Sequence, residues 1–269
     1  MRKSILSDMD GVIYRGSQLI GGAQEFVARL RKSSTKFLFL TNNSQQTPLE
    51  LQLKLKSRGI TGVTENDFIT SAMATAMFLK EQKPNATVYV IGGEGLMREL
   101  EAVGFSFSEN NPDYVVVGKT PKFSFKMMKT AVQLIGNGAK FIGTNPDVID
   151  PTEDGFEPAC GALLASIEKA CGVKPYIVGK PNSLMMTLAT RKLGVHADDA
   201  LMIGDRMDTD IIGGLEAGMK TILVLSGVSS RETVEKFPYR PDYIFDTVGD
   251  IDLQKLNESI PYGLSADTR

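Results

Sequence analysis

The chain has no tryptophan, one histidine and only two cysteines in 269 residues. Cys160 and Cys171 flank one expected helix and lie too far apart for an easy disulfide, so both read as reduced core thiols of a cytosolic protein. The lone His196 falls in the loop Gly194-Val195-His196-Ala197-Asp198-Asp199 and reads as a solvated surface residue. Neither thiol therefore has an obvious base, which argues against a cysteine nucleophile. A dominant charge is also missing. The formal net charge is −2 and no Lys/Arg block occurs, so nothing marks a nucleic acid polymer as partner. No uninterrupted apolar run approaches bilayer length, and the stretch after Met1-Arg2-Lys3-Ser4 breaks at once, unlike a signal peptide or a membrane anchor. What remains is the composition of a cytoplasmic globular protein, 42% hydrophobic and 23% charged, with length for one or two domains.

Short apolar runs alternate with helical patterns, the mark of βαβ units and a largely parallel sheet. The runs end at Ser7, at Phe37-Leu38-Phe39-Leu40, at Tyr176-Ile177-Val178, at Leu201-Met202-Ile203 and at Thr221–Leu225, with a weaker one at Tyr243-Ile244-Phe245. Thr47-Pro48-Leu49-Glu50 is a capping box opening a helix that Gly59 stops. A helix from Ile211 survives Gly213 and Gly214, which implies close packing on the sheet, and the Met-rich pattern from Met185 to Leu193 reads as a core helix face. Between the second and third runs lies too much chain for one crossover. It holds its own strands (Thr87–Ile91, Tyr114–Val117, Lys140–Ile142), a helix opened by Thr120-Pro121 with Phe125, Met128, Val132 and Ile135 on one face, and a helix from Cys160 to Cys171. The expected architecture is α/β, a doubly wound, mostly parallel sheet over residues 1–83 and 176–269, interrupted by a smaller α/β domain at 84–175. The tail from Leu264 to Arg269 reads as disordered or surface-bound.

Ligands of open α/β sheets bind beyond the carboxyl ends of the strands. Here four such ends carry Asp8-Met9-Asp10-Gly11-Val12, Thr41-Asn42-Asn43-Ser44, Gly179-Lys180-Pro181 and Gly204-Asp205-Arg206-Met207-Asp208-Thr209-Asp210. Alternation puts Asp8 and Asp10 on one side of the strand exit. Crowded carboxylates there need a cation, a shared proton or good donors, unless the segment is only an Asp-rich turn closed by glycine. Thr41 to Asn43 likewise reads either as phosphate ligands or as a turn closing a strand. Ser44 reads as a helix cap, and Asp210 as a site residue or as ordinary helix-dipole pairing.

Taken in order, these four segments resemble the motifs of the haloacid dehalogenase (HAD) superfamily. With Tyr14-Arg15-Gly16 added, they resemble its NagD and 4-nitrophenylphosphatase branch, which carries a type 2 cap inserted between the second and third motifs. The resemblance implies a Mg²⁺-dependent phosphatase acting on small-molecule phosphomonoesters such as nucleoside monophosphates, sugar phosphates and 4-nitrophenyl phosphate, with phosphoglycolate and pyridoxal phosphate as further candidates. Asp8 would be the nucleophile, forming an aspartyl-phosphate, and Asp10 the general acid and base. Mg²⁺ would sit among the Asp8 carboxylate, the Asp10 carbonyl and Asp205. Thr41, Asn42, Asn43 and Lys180 would hold the phosphate, with Asp210 behind them positioning Lys180 or a metal water; Asp208 offers the same chemistry, and the choice stays open. Thr144-Asn145-Pro146-Asp147 and Asp150 read first as a turn after a strand, with residues facing the substrate as the alternative, while Glu157–Gly161 reads as the opening of the next helix and, by the resemblance, as a border of the site. A phosphotransferase or mutase would share these residues, and a non-catalytic phosphate-binding module would lack some of them. The branch leaves homodimer formation open.

Overall fold

The computed structural model describes residues 3–152, 155–253 and 256, so the tail from Leu264 lies outside the described residues. Six parallel strands form the larger sheet, in the spatial order Tyr243–Phe245, Lys220–Val224, Ala200–Gly204, Ser4–Ser7, Phe37–Thr41 and Phe68–Thr70. In chain order this is 3-2-1-4-5-6, so the winding reverses between Ser4–Ser7 and Ala200–Gly204. Ser7 is in register with both Ile203 and Phe39. Asp8, Thr41 and Asp205 therefore leave the sheet at nearly one level. The three central strands are buried along their whole length, as expected where helices cover both faces of a parallel sheet.

A second parallel sheet contains Tyr176–Ile177, Lys140–Gly143, Tyr114–Val117, Thr87–Ile91 and Ser106–Phe107, which is order 2-1-3-4-5 read from its far edge. An antiparallel ribbon, Ile149–Thr152 with Gly155–Pro158, extends from it. One apolar cluster runs from Leu6 and Leu40 of the larger sheet, through Leu79, Leu96 and Met185 of intervening helices, to Val116 and Ile142 of the smaller one. The inserted domain is thus seated on a shared hydrophobic layer. No helix among the described residues is long and apolar enough to cross a membrane.

Two strand assignments change. Tyr176–Ile177, expected in the larger sheet, pairs instead with Ile142 and Gly143 of the smaller one. The edge of the larger sheet beside Phe37–Thr41 is instead Phe68–Thr70, three residues too short to show alternation and running directly into the helix Ser71–Gln82. The helix expected from Thr120-Pro121 begins at Phe125, because Ser124 caps it by accepting from the Met127 N–H; Phe125 stays exposed while Ala131, Leu134 and Ile135 are buried. Elsewhere the local signals hold. Thr47 and Glu50 form the reciprocal box on Pro48–Ser57, and Cys160–Cys171 ends at Gly172 with both thiols free, though only Cys160 is a core thiol and Cys171 is half-buried. Gly214 is as tightly packed as expected, since a Cβ there would lie 2.7 Å from Thr221 Cγ2 and 2.9 Å from Met202 Cβ.

Candidate active site

The chemistry-bearing residues converge where the winding of the larger sheet reverses. Asp8 extends the first strand by one more ladder bond, its N–H donating to the Ile203 carbonyl at 2.8 Å. Gly11 then turns the chain with φ +76°, and a Cβ at that position would lie 2.4 Å from Asp205 Oδ2. Glycine is required there by both backbone angle and space. Gly204 and Gly227 make similar room, with hypothetical Cβ atoms 2.1 Å from Asp210 Cβ and 1.9 Å from Asp205 Oδ2.

In that space Asp8, Asp205 and Asp210 bring carboxylate oxygens within 4.8 Å of one another, all three residues buried. Lys180, 1% exposed, is inserted among them, its Nζ 2.8 Å from Asp8 Oδ1 and 2.7 Å from Asp210 Oδ1. The contact with Asp210 is an ion pair without hydrogen-bond alignment. Asp205 Oδ2 accepts the Val228 N–H at 2.7 Å, and Asp210 Oδ2 accepts the Arg206 N–H at 3.1 Å. Three carboxylates against one ammonium leave two negative charges uncompensated in the ionised cluster.

Burial dominates the titration of these groups, and the repulsion among them adds to it. Burial raises the Asp8 carboxyl despite the opposing pull of Lys180. Burial, reinforced by Asp210 and Asp8, raises Asp205 well above the usual range, and burial pushes Asp210 up to about 6 against Lys180. Lys180 behaves oppositely: burial would lower it, but Asp210 and Asp8 more than compensate and raise it. Burial and mutual repulsion both disfavour the fully ionised cluster, so a further positive charge beside it would be favourable.

Asp10 stands at the mouth of the crevice with its side chain reaching solvent, yet the surrounding protein raises its carboxyl through desolvation, with Lys54 opposing. The Tyr14 hydroxyl donates to Asp10 Oδ2 at 3.4 Å, and Lys54 Nζ stands 3.9 Å from the centroid of the Tyr14 ring. Sequence reasoning quoted Tyr14 but missed Lys54, which looks like any other lysine of the helix Pro48–Ser57.

The Thr41–Asn43 segment is used less uniformly than its sequence suggests. The Thr41 hydroxyl is buried and accepts from the Asn43 N–H at 3.1 Å, which leaves its proton to donate. The Asn42 amide is spent on protein: Oδ1 accepts the Lys180 N–H at 2.8 Å, and Nδ2 donates to the Lys180 carbonyl at 3.1 Å and to Asp147 Oδ2 at 3.0 Å. Asn43 Oδ1 accepts from the N–H groups of Gln45 and Gln46, so this side chain shapes the loop. Ser44 caps no helix and accepts instead from the Thr144 hydroxyl at 3.2 Å. Asp208 points away from the cluster to a two-pronged pairing with Arg206 at 3.0 and 2.9 Å, which leaves Asp210 as the acid beside Lys180. His196 is exposed, as expected.

A haloacid dehalogenase-like hydrolase model matches residues 5–106, and a second HAD-hydrolase-like model matches residues 177–251. The chain is 44% identical over 248 residues to the dihydroxyacetone phosphatase of Corynebacterium glutamicum, covering 92% of this chain and 90% of that one. It is 41% identical over 251 residues to the ribonucleotide monophosphatase NagD of Escherichia coli, covering 93% and 98%. The chain belongs to the HAD superfamily. Among solved structures, the p-nitrophenyl phosphatase of Archaeoglobus fulgidus superimposes with a TM-score of 0.87 at 35% identity, covering 93% of this chain and 97% of that one. Within the superfamily the chain is a NagD-like phosphatase, an enzyme with a HAD core and an inserted cap.

Proposed function

We propose that this HAD enzyme hydrolyses small phosphomonoesters at the Asp8 crevice, with Asp8 as nucleophile and Mg²⁺ as cofactor, and that residues 84–175, together with the strand Tyr176–Ile177, act as its cap. The observation that carries the reading is the buried cluster of Asp8, Asp205 and Asp210 around Lys180 at the switch point of the larger sheet.

The donors fit a hard dication. They are all oxygen, as Mg²⁺ prefers, and the two uncompensated negative charges equal what it would neutralise. Asp8, Asp205 and the Asp10 carbonyl would hold it, and when bound it would shield the nucleophile from the incoming phosphate and polarise the phosphoryl oxygens. Lys180 supplies a fixed positive charge to the same oxygens and the Thr41 hydroxyl a hydrogen bond, while Asp210 anchors the ammonium. The side chains of Asn42 and Asn43 are committed elsewhere, and the Asn43 N–H donates to the Thr41 hydroxyl, so these residues contribute by shaping the loop and fixing Lys180.

An Asp8 carboxylate oxygen attacks phosphorus while the bond to the leaving oxygen breaks, and Asp10 donates the proton that turns the alkoxide into an alcohol. Water then attacks the aspartyl-phosphate and gives its proton back to Asp10; cleavage of the Asp8–phosphorus bond releases inorganic phosphate. A raised Asp10 pKa, held by desolvation, suits a group that must carry a proton in one half-reaction and accept it in the next. The relatives' names, which include a sugar-related and a nucleotide phosphatase, support a leaving group that the cap tolerates broadly. Hydrolysis of 4-nitrophenyl phosphate tests the reading: turnover should need Mg²⁺, stop on chelation and vanish in Asp8→Asn. Metal-independent turnover, or an active Asp8→Asn, would overturn it.

A further inference from the structure

The cap and the core meet through polar groups that no reaction step above uses. Asp147 follows the cap strand Lys140–Gly143, and its Oδ2 accepts from Asn42 Nδ2 at 3.0 Å. That one amide also grips both backbone polar groups of Lys180. On its other side, Asp147 Oδ1 lies 3.9 Å from the Arg206 guanidinium, in the loop whose Arg206 N–H holds Asp210. One cap carboxylate therefore touches two catalytic loops and reaches the third through Asn42.

The rest of the cap holds the same loop. Gly95 N–H donates to the Gln45 carbonyl at 2.9 Å, Asn145 Nδ2 donates to the Asn42 carbonyl at 2.8 Å, and the Thr144 hydroxyl donates to Ser44. The fit is close: a Cβ on Gly95 would lie 2.7 Å from the Gln45 carbonyl oxygen, and one on Gly118 would lie 2.7 Å from Ser44 Oγ. Gly179 behaves alike, with a hypothetical Cβ 2.6 Å from Asn42 Oδ1.

We propose that Asp147 is a positioning residue, through which the seated cap holds Asn42, and with it Lys180 and the Thr41–Asn43 loop, in catalytic register. The cap then completes the core's geometry as well as covering it. The proposal rests on the phosphatase reading above.

Kinetics of the parent, Asp147→Ala, Asp147→Asn and Asp147→Glu on 4-nitrophenyl phosphate and on a hexose phosphate test it, together with calorimetric binding of inorganic phosphate in Mg²⁺. Removing the outer partners of metal ligands costs ~10–100-fold in activity, and a factor of that order is expected for this support of Lys180. Asp147→Ala should lose that factor in kcat equally on both esters, because they share the phosphoryl group, and should bind phosphate more weakly. Asp147→Asn keeps an acceptor at the right place for Asn42 and should recover most of the loss; Asp147→Glu keeps the charge, displaces it by a methylene and should not. A KM effect that differs between the esters would make Asp147 a leaving-group contact and overturn the proposal. Parent-like kcat and phosphate affinity in Asp147→Ala, or Glu tolerated better than Asn, would overturn it too. Should the alanine variant fail to fold, the Asn and Glu pair carries the test. A parent that binds phosphate without turnover would sink the phosphatase reading, with the phosphate affinities still deciding the role of Asp147.

Discussion

The larger and smaller sheets are built alike at their amino ends and unlike at their carboxyl ends. In the cap, Asp113 Oδ2 accepts from the N–H and hydroxyl of Thr87 at 2.9 and 3.2 Å, with Lys83 2.6 Å from Oδ1. In the core, Asp242 does the same with Thr221 at 2.9 and 3.3 Å, with Lys220 at 2.6 Å. Both aspartates lie in Pro-Asp-Tyr segments that tie one strand's start to its neighbour's. At the carboxyl ends each sheet has a point where its winding reverses and a crevice opens. In the core, Asp8 and Asp205 flank it. In the cap, the strands Thr87–Ile91 and Tyr114–Val117 end in Gly92 and Gly118, and the Ser44–Gln45 turn of the core packs there. Topology supplies the crevice twice, and the side chains at its rim decide between chemistry and docking.

The sharpest way to break that contrast is to remove the core's buried cation. Lys180→Met leaves three repelling carboxylates around an apolar side chain. We expect a loss of about 3–5 kcal/mol in stability, the usual result of stripping one partner from a buried pair, together with loss of turnover. The corresponding cap cation, Lys119, pairs with Asp150 and Glu157 nearer the surface, so Lys119→Met should cost only about 1 kcal/mol or less. Denaturant titration of both variants compares them directly; equal losses would contradict the division of roles.

Next in size is Gly95→Ala in the cap. It touches no substrate, yet its methyl group would meet the Gln45 backbone, so roughly 1–3 kcal/mol of stability should go, along with activity. Full activity would show that the Thr41–Gln46 loop holds its shape without the cap.

A gain of stability is expected at Asp205→Asn. In the metal-free protein, neutralising one repelled carboxylate should stabilise the fold by roughly 0.5–2 kcal/mol while abolishing metal-dependent turnover, since the cluster is tuned for function. A melting temperature in chelator that falls would count against the charge imbalance.

The smallest effect belongs to Asp113. Lys83, with the Thr87 N–H, holds its carboxyl below the usual value. Its stabilising contribution is therefore present above the unfolded value near 3.8 and fades as pH falls through the depressed folded value. Asp113→Asn should be less stable than the parent at neutral pH, and denaturation curves of the two should converge in acid.

Much of the site was legible because strand exits carry their chemistry in short contiguous runs, and Asp8, Lys180, Asp205 and Asp210 all fall where such runs end. The edge strand Phe68–Thr70 was not legible, since three apolar residues before a helix have no period of their own. Nor did sequence show where Asn42 and Asn43 point, because an Asn after a strand looks the same whether it faces a ligand or its own loop. Thr144–Asp147 is a turn, as its sequence says, but its partner Asn42 lies 105 residues away, and no local pattern encodes which turn meets the other domain.

Rapid-quench mass spectrometry during turnover tests the central claim most directly. With 4-nitrophenyl phosphate, whose leaving group needs little protonation, the account predicts a phosphoryl group on Asp8 in the parent, more of it in Asp10→Asn, where water activation is lost, and none in Asp8→Asn. Turnover by an unmodified Asp8, or a phosphoryl group persisting in Asp8→Asn, would contradict it.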